Sequence, residues 1–405
     1  MRSALALLAF LAVGLVSACD RQGGEPTPGE DRAPAPGESG ALPPSSRDPV
    51  AAGDPVAGRE IFRFDTFGDE RFWTDTLRMH EVIESSVDPL TALAVGLKVD
   101  ADVLPPGILG QVDLGDPATT VALLEMNAVV GLKAEVADGR IQRVGVTCAL
   151  CHSDVDDSVQ EGIGRRQDGY PNRDLDPGKI LSLSPALQDP AVQAVLTSWG
   201  PGMYDAYWNH DDLNDPTVIP AAYGLSGVPV ETFTGEGPVS YWNAYVAVTQ
   251  MHGQGSFRDP EMGIEIVASP DLVTSKLPDL QAYQLTLAAP APPPGSYDPD
   301  AAARGEAVFT GQGTCASCHM LPNFTDAGER VHEPSETGMD PGLAERGTTG
   351  GYRTTPLRGA WQRPPYFHDG SAATLEDVVD HYEDFLGLGL SAQQKADLVE
   401  YLKSL

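Results

Sequence analysis

The stretch "GVTCALCHSD", residues 145–154, places Cys148 and Cys151 three positions apart and His152 directly after the second. The same pattern returns in "GTCASCHML", residues 313–321, as Cys315, Cys318 and His319. The chain has five cysteines, and the fifth, Cys19, lies near the N-terminus. That distribution leaves no pair over for a disulfide, and both copies of the pattern demand an explanation.

Cys-x-x-Cys-His is the attachment pattern of c-type haem. Two thiols at this spacing form thioethers to the two vinyl groups, and the adjacent histidine reaches the iron as proximal ligand. A lone copy could equally be half of a zinc site or a redox pair. Two copies with no spare cysteine point to two covalently bound haems, with His152 and His319 on the irons. The sixth ligand then decides each haem's work. A second strong ligand closes the iron for electron transfer, whereas an open position admits peroxide or oxygen.

The N-terminus "MRSALALLAFLAVGLVSACD" has a basic residue, Arg2, followed by an apolar run too short to span a bilayer comfortably. Its end, Val16-Ser17-Ala18-Cys19, resembles a bacterial lipobox, so residues 1–18 read as a lipoprotein-type signal peptide and Cys19 as a lipid-anchored residue. Residues 19–53, rich in Pro, Gly, Ser and Asp, read as a disordered tether, because they hold too little apolar surface to offset their ordering entropy. The expected location is the periplasmic side of the cell envelope. A formal net charge of −32 argues against nucleic-acid binding and suits a basic protein partner.

Among the Asp-Pro pairs, those at Asp54, Asp88, Asp116, Asp189 and Asp298 each precede a run with helical apolar spacing. Asp can cap free N–H groups and Pro tolerates the first helical position. Alternating strand-like runs are scarce. The proline-rich "APAPPPGSYDP", residues 289–299, marks a boundary between a unit at 54–290 and one at 298–405. Both units open with Gly and Phe four apart, Gly58/Phe62 and Gly305/Phe309. This resembles the N-terminal helix of a class I cytochrome c, crossed closely by a C-terminal helix, which in the second unit would be "QQKADLVEYLKSL". Phe309 lies six residues before Cys315 but Phe62 lies 86 before Cys148. The expectation is a mainly α chain of two cytochrome c-like haem domains with extensive loops, the first enlarged by a long insertion.

The stretch "RTTPLRGAWQRPPYFHDGSAATLEDVVDHYEDF", 353–385, resembles the C-terminal domain of the bacterial di-haem cytochrome c peroxidase and MauG family. In that family a Pro-Tyr-Phe/Met-His-x-Gly segment precedes a helix bearing the distal ligand, 14 residues past the motif's histidine. Here Pro365 to Gly370 match, and the position 14 after His368 is Tyr382. The resemblance therefore implies Tyr382 as the sixth ligand of the second haem; Met339, 20 residues past His319, is an alternative read from the sequence itself, and His368 reads as a structural histidine in a turn. The resemblance also implies peroxide chemistry, a small redox-protein donor (a cytochrome or cupredoxin) and a calcium ion between domains. For calcium, Asn172, Asp174 and Asp176 offer oxygens at alternating positions, although the spacing is not that of an EF-hand.

No His, Met or Cys follows His152 closely, so the first haem is expected to be open to a small oxidant. Met203, His210, Met251 and His252 are the distant alternatives. Glu161, Gln160, Gln250 and His252 are candidates to move a peroxide proton. Trp199, Trp208 and Trp242 are candidates to relay electrons between haems. Arg165, Arg166, Arg353 and Arg358 could pair with haem propionates. The sequence thus favours a di-haem oxidoreductase reducing hydrogen peroxide at the first haem through the second. The alternatives are a non-enzymatic electron carrier and an oxygen-using enzyme acting on an organic substrate.

Overall fold

The computed structural model describes residues 45–405. The expected signal peptide, Cys19 and most of the expected tether lie outside the described residues. The end of the tether does not behave as expected, because Ser45–Gly53 packs on the body. Arg47 donates to the Asp259 carboxylate (2.8 Å), to the Glu236 carbonyl (3.1 Å) and to the Thr348 hydroxyl (2.8 Å), and lies over the Tyr241 ring. The packed body therefore includes Ser45–Gly53, ahead of Asp54.

Each of these five Asp-Pro pairs opens a helix: Pro55–Phe64, Pro89–Ala94, Pro117–Glu125, Pro190–Trp199 and Pro299–Thr310. In each, the aspartate side chain accepts from a first-turn N–H and the proline stands where no donor is needed. A sixth pair does the same, with Asp176 capping the helix Pro177–Ser182.

Two helix crossings are built alike. Pro55–Phe64 packs on Leu277–Gln284, and Pro299–Thr310 packs on Ala392–Ser404. A Cβ on Gly58 would sit 1.9 Å from the Asp279 carbonyl oxygen, and one on Gly305 would sit 2.0 Å from that of Asp397. Only glycine permits backbones to approach so closely. One turn on, Phe62 meets Tyr283 edge-to-face at 5.5 Å, and Phe309 meets Tyr401 in the same way at 5.2 Å. Even the N-caps are clipped alike. The Asp54 N–H donates to the Asp279 carboxylate (2.7 Å), and the Asp298 N–H to that of Glu400 (2.6 Å).

Between Phe64 and Leu277 lies a core of its own, built from the helices Met79–Ser86, Pro89–Ala94 and Pro117–Glu125 and one face of a β-hairpin. The hairpin pairs Leu132–Ala137 antiparallel with Arg140–Val146. Asp138 and Gly139 turn it with φ of 52° and 71°, a left-handed pair that Asp-Gly accommodates readily. This is the longest sheet among the described residues, and the expectation of scarce strands passed over it. The remaining sheets are two-stranded ribbons of two or three residues per strand. The hairpin's second strand runs straight into Thr147-Cys148, so it sets where the first motif stands. Among the described residues no helix is long and apolar enough to cross a membrane.

Candidate functional site: two cavities with a common wall

Each Cys-x-x-Cys-His motif lines a largely apolar cavity. Cys148, Cys151 and His152 line the first, and Cys315, Cys318 and His319 line the second. None of the four cysteines is in a disulfide. Burial pushes the Cys148 and Cys151 thiols up to about 12 and Cys315 up to about 11, values that disfavour thiolate chemistry.

The two histidines are held identically. His152 Nδ1 lies 3.1 Å from the Pro220 carbonyl, and His319 Nδ1 lies 3.0 Å from the Phe324 carbonyl. A carbonyl only accepts, so Nδ1 carries the proton and Nε2 keeps its lone pair. Burial pushes both imidazoles down to about 4, so both are neutral at neutral pH. A neutral, oriented Nε2 is the state a metal requires.

The cavities share Pro220, Ala221, Phe233 and Arg353. The carbonyl that orients His152 thus belongs to a segment that also bounds the second cavity. Trp199, Trp208 and Trp242 line the first cavity but not the second. Trp199 donates to the Asn214 side chain (2.8 Å) and Trp242 to the Glu231 carbonyl (3.1 Å). None of the three tryptophans reaches the common wall, which is formed by Pro220, Ala221, Phe233 and Arg353.

In the second cavity, Tyr382 and Met339 join His319, as does His368. Among the described residues the Tyr382 hydroxyl has no hydrogen-bond partner, and burial pushes it up to about 12. His368 Nε2 lies 3.1 Å from the Tyr352 hydroxyl and its ring stacks on that of Tyr352 at 4.6 Å. Because Tyr352 donates to the Asp340 carbonyl (2.6 Å), His368 must be the donor of the pair. His332 bonds the buried Asp326 carboxylate at 2.9 Å, and His381 donates to the Thr337 carbonyl at 2.8 Å.

In the first cavity, Gln250 and His252 are present and Glu161 is not. Glu161 and Gln160 are exposed on the turn that leads into the short strand Ile163–Gly164, where neither faces the cavity. Met203 and His210 are likewise absent from the lining, whereas Met251 and His252 reach it. The chain makes a π-turn over Val246–Gln250, a conformation frequent at functional sites, and His252 follows with φ of 62°. Its ring stacks on Phe72 at 3.7 Å, and burial pushes it down to about 4. Gln250 accepts from the Tyr204 hydroxyl (2.8 Å) and donates to Asn209 (3.1 Å). Tyr204 was not singled out from sequence, since a strand tyrosine carries no local mark of its cavity.

A c-type haem needs two thioether cysteines, an oriented histidine and cationic partners for its propionates. For the last, buried cationic donors without a partner are present. Arg353 Nη1 and both Nε and Nη1 of Arg173 are buried without a partner, and these arginines line the second cavity, Arg353 lining the first as well. Arg353 was expected from sequence and Arg173 was not. Arg165 instead pairs with Asp156 (3.0 Å) and Arg358 donates to the Pro322 carbonyl (2.8 Å), while Arg166, also with buried donors unpartnered, lies 3.2 Å from Asp100 and lines neither cavity. The residues present fit the group. The calcium donors are not so arranged. Asn172 donates to the Gly96 carbonyl (2.8 Å), Asp174 pairs with Lys98 (2.5 Å), and Asp176 is a helix cap.

No family model matches the chain. The methylamine utilization protein MauG of Methylorubrum extorquens is 33% identical over 122 residues, covering 26% of this chain and 34% of that protein. A cytochrome-c peroxidase, IdrP1, of a Pseudomonas species is 29% identical over 147 residues, 25% of this chain and 39% of its own. The matches thus span well under half of either relative. Among solved structures, a MauG-like protein associated with microbial copper homeostasis is 23% identical, with a TM-score of 0.33, over 47% of this chain and 73% of that one. At this modest identity the chain is a relative of MauG and the di-haem cytochrome-c peroxidases, a relationship that implies c-type haem as its cofactor.

Proposed function

We propose that the protein is a di-haem oxidoreductase that reduces hydrogen peroxide in the first cavity with electrons received through the second. The observation that carries this reading is the common wall. Two Cys-x-x-Cys-His cavities abut on Pro220, Ala221, Phe233 and Arg353, and His152 is bonded to one of those residues. A haem in each cavity would supply the electron-accepting and peroxide-binding chemistry, with Cys148, Cys151 and His152 holding one and Cys315, Cys318 and His319 the other.

The chain's own residues then divide the work. Tyr382, with an unpartnered hydroxyl beside the second motif, closes that site for electron handling, and Met339 is the alternative ligand. In the first cavity, neutral His252 takes a proton from the near peroxide oxygen, and the Gln250–Tyr204 pair orients the far one. Each peroxide takes two electrons and two protons and leaves as two waters. The Leu321 side chain beside the second motif is 71% exposed and Leu386, on that cavity's lining, 47% exposed. With the acidic surface they suit a small basic cytochrome or cupredoxin as donor. Cleavage before Cys19 would tether the body to a membrane on the periplasmic side.

The same His252 favours a second reading, an electron carrier in which its free nitrogen closes the first iron. Carbon monoxide binding separates the two. The peroxidase reading expects the ferrous protein to bind it at one haem of two and to consume peroxide with a reduced donor. Failure of both would contradict the reading.

A further inference from the structure

On the common wall Arg353 holds a buried acidic partner, Glu231, to which the roles above give no part. Glu231 Oε2 and Arg353 Nη2 lie 3.2 Å apart, with side chains 7% and 6% exposed. Both residues line the first cavity, and Arg353 lines the second too. The pair is only half satisfied, because Glu231 Oε1 and Arg353 Nη1 are buried without a partner. The guanidinium is fixed by its Nε–H to the Thr232 carbonyl, and the Glu231 backbone carbonyl is held by Trp242.

A buried carboxylate with one free oxygen is costly unless it is well compensated. Arg353 is the charged group acting on Glu231, opposing the burial that pushes its carboxyl up to about 7. Arg363 in turn acts on Arg353. A propionate taking the free Arg353 Nη1 would share the guanidinium with Glu231. Two carboxylates and one cation favour one bound proton.

We infer that Glu231 is a proton-loading site coupled to the first cavity. Were a haem held in that cavity by Cys148, Cys151 and His152 to take one electron from the donor protein, one proton from solvent onto Glu231 Oε1 would leave the local charge unchanged. The proton leaves when the electron leaves, beside a reaction that consumes both. This inference rests on the di-haem reading and adds to it the site that stores the proton.

The test is spectroelectrochemistry of the haem-loaded full chain from acidic to alkaline pH, for wild type and Glu231→Gln, with redox-difference infrared spectra. One wild-type midpoint is expected to fall with rising pH, by up to about 59 mV for each tenfold change in proton activity. In Glu231→Gln it is expected to stay flat near the wild-type acidic limit. Reduction of the wild type is expected to add a protonated-carboxyl band, shifted in heavy water and missing from the variant. A slope retained in Glu231→Gln, or a wild type with neither slope nor band, overturns the inference. Should the variant not fold, presence or absence of the band in the wild type decides. Haems counted per chain by absorbance and mass separate the two claims. Fewer than two contradicts the di-haem reading, and two with pH-independent potentials contradicts the proton site alone.

Discussion

His152 and His319 each donate Nδ1–H to a backbone carbonyl, and this one bond fixes tautomer, ring plane and readiness for a metal. His252 lacks such a bond among the described residues, and that difference leaves its ring nitrogens free to take a proton in the first cavity. His252→Gln is expected to lower peroxide turnover on the order of 100-fold, the lower range for losing a positioned proton acceptor, without altering the spin state of either haem. Its folded value of about 4 means that it is unprotonated above that pH. The His252 contribution to turnover is therefore expected to be level through neutrality and to fall as pH drops through about 4, as the acidic limb of a pH–rate profile would read. Asp69 provides a stability test. Burial pushes its carboxyl up to about 9, while one oxygen accepts from the Val146 N–H. The folded chain then keeps a proton that the unfolded chain releases above about 4. Asp69's contribution is complete below that pH and is lost as pH rises towards 9. Asp69→Asn is expected to match the wild type in Tm near pH 4 and to exceed it at pH 8.

The two helix crossings carry the strongest element-scale prediction. Gly58→Ala and Gly305→Ala each drive a Cβ into a backbone carbonyl that cannot rotate away. Each substitution is expected to cost roughly 1–3 kcal/mol or more in denaturant unfolding, the range for overpacking. Equal losses would show that the first crossing is as structural as the second. At this scale the sequence was readable where the signal is local. The Asp-Pro caps, the Gly-to-Phe spacing and both Cys-x-x-Cys-His motifs depend on neighbours a few residues away. The hairpin's Asp138-Gly139 was an equally local signal that was not weighted. The common wall was not legible in principle. Phe233, Arg353 and Pro220 are brought together by folding alone, and Glu231 becomes chemical only through an arginine 122 positions away. Glu161 showed the converse, an acid close to the motif in sequence yet exposed on a turn.

For the whole molecule, a net charge of −32 sets the long-range behaviour. Electron delivery from a small basic redox protein is expected to slow several-fold as ionic strength rises, because screening removes the steering field. An acidic donor of similar potential is expected to be slow and nearly insensitive to salt. Stopped-flow reduction at several salt concentrations checks both. The central claim is that two similarly built cavities hold haems with different work. Low-temperature EPR of the purified, fully oxidised protein, repeated after hydrogen peroxide, tests it most directly. The account predicts one high-spin and one low-spin ferric signal, with the high-spin signal lost on peroxide. Two low-spin signals indifferent to peroxide, both in the oxidised protein and after one-electron reduction, would contradict it.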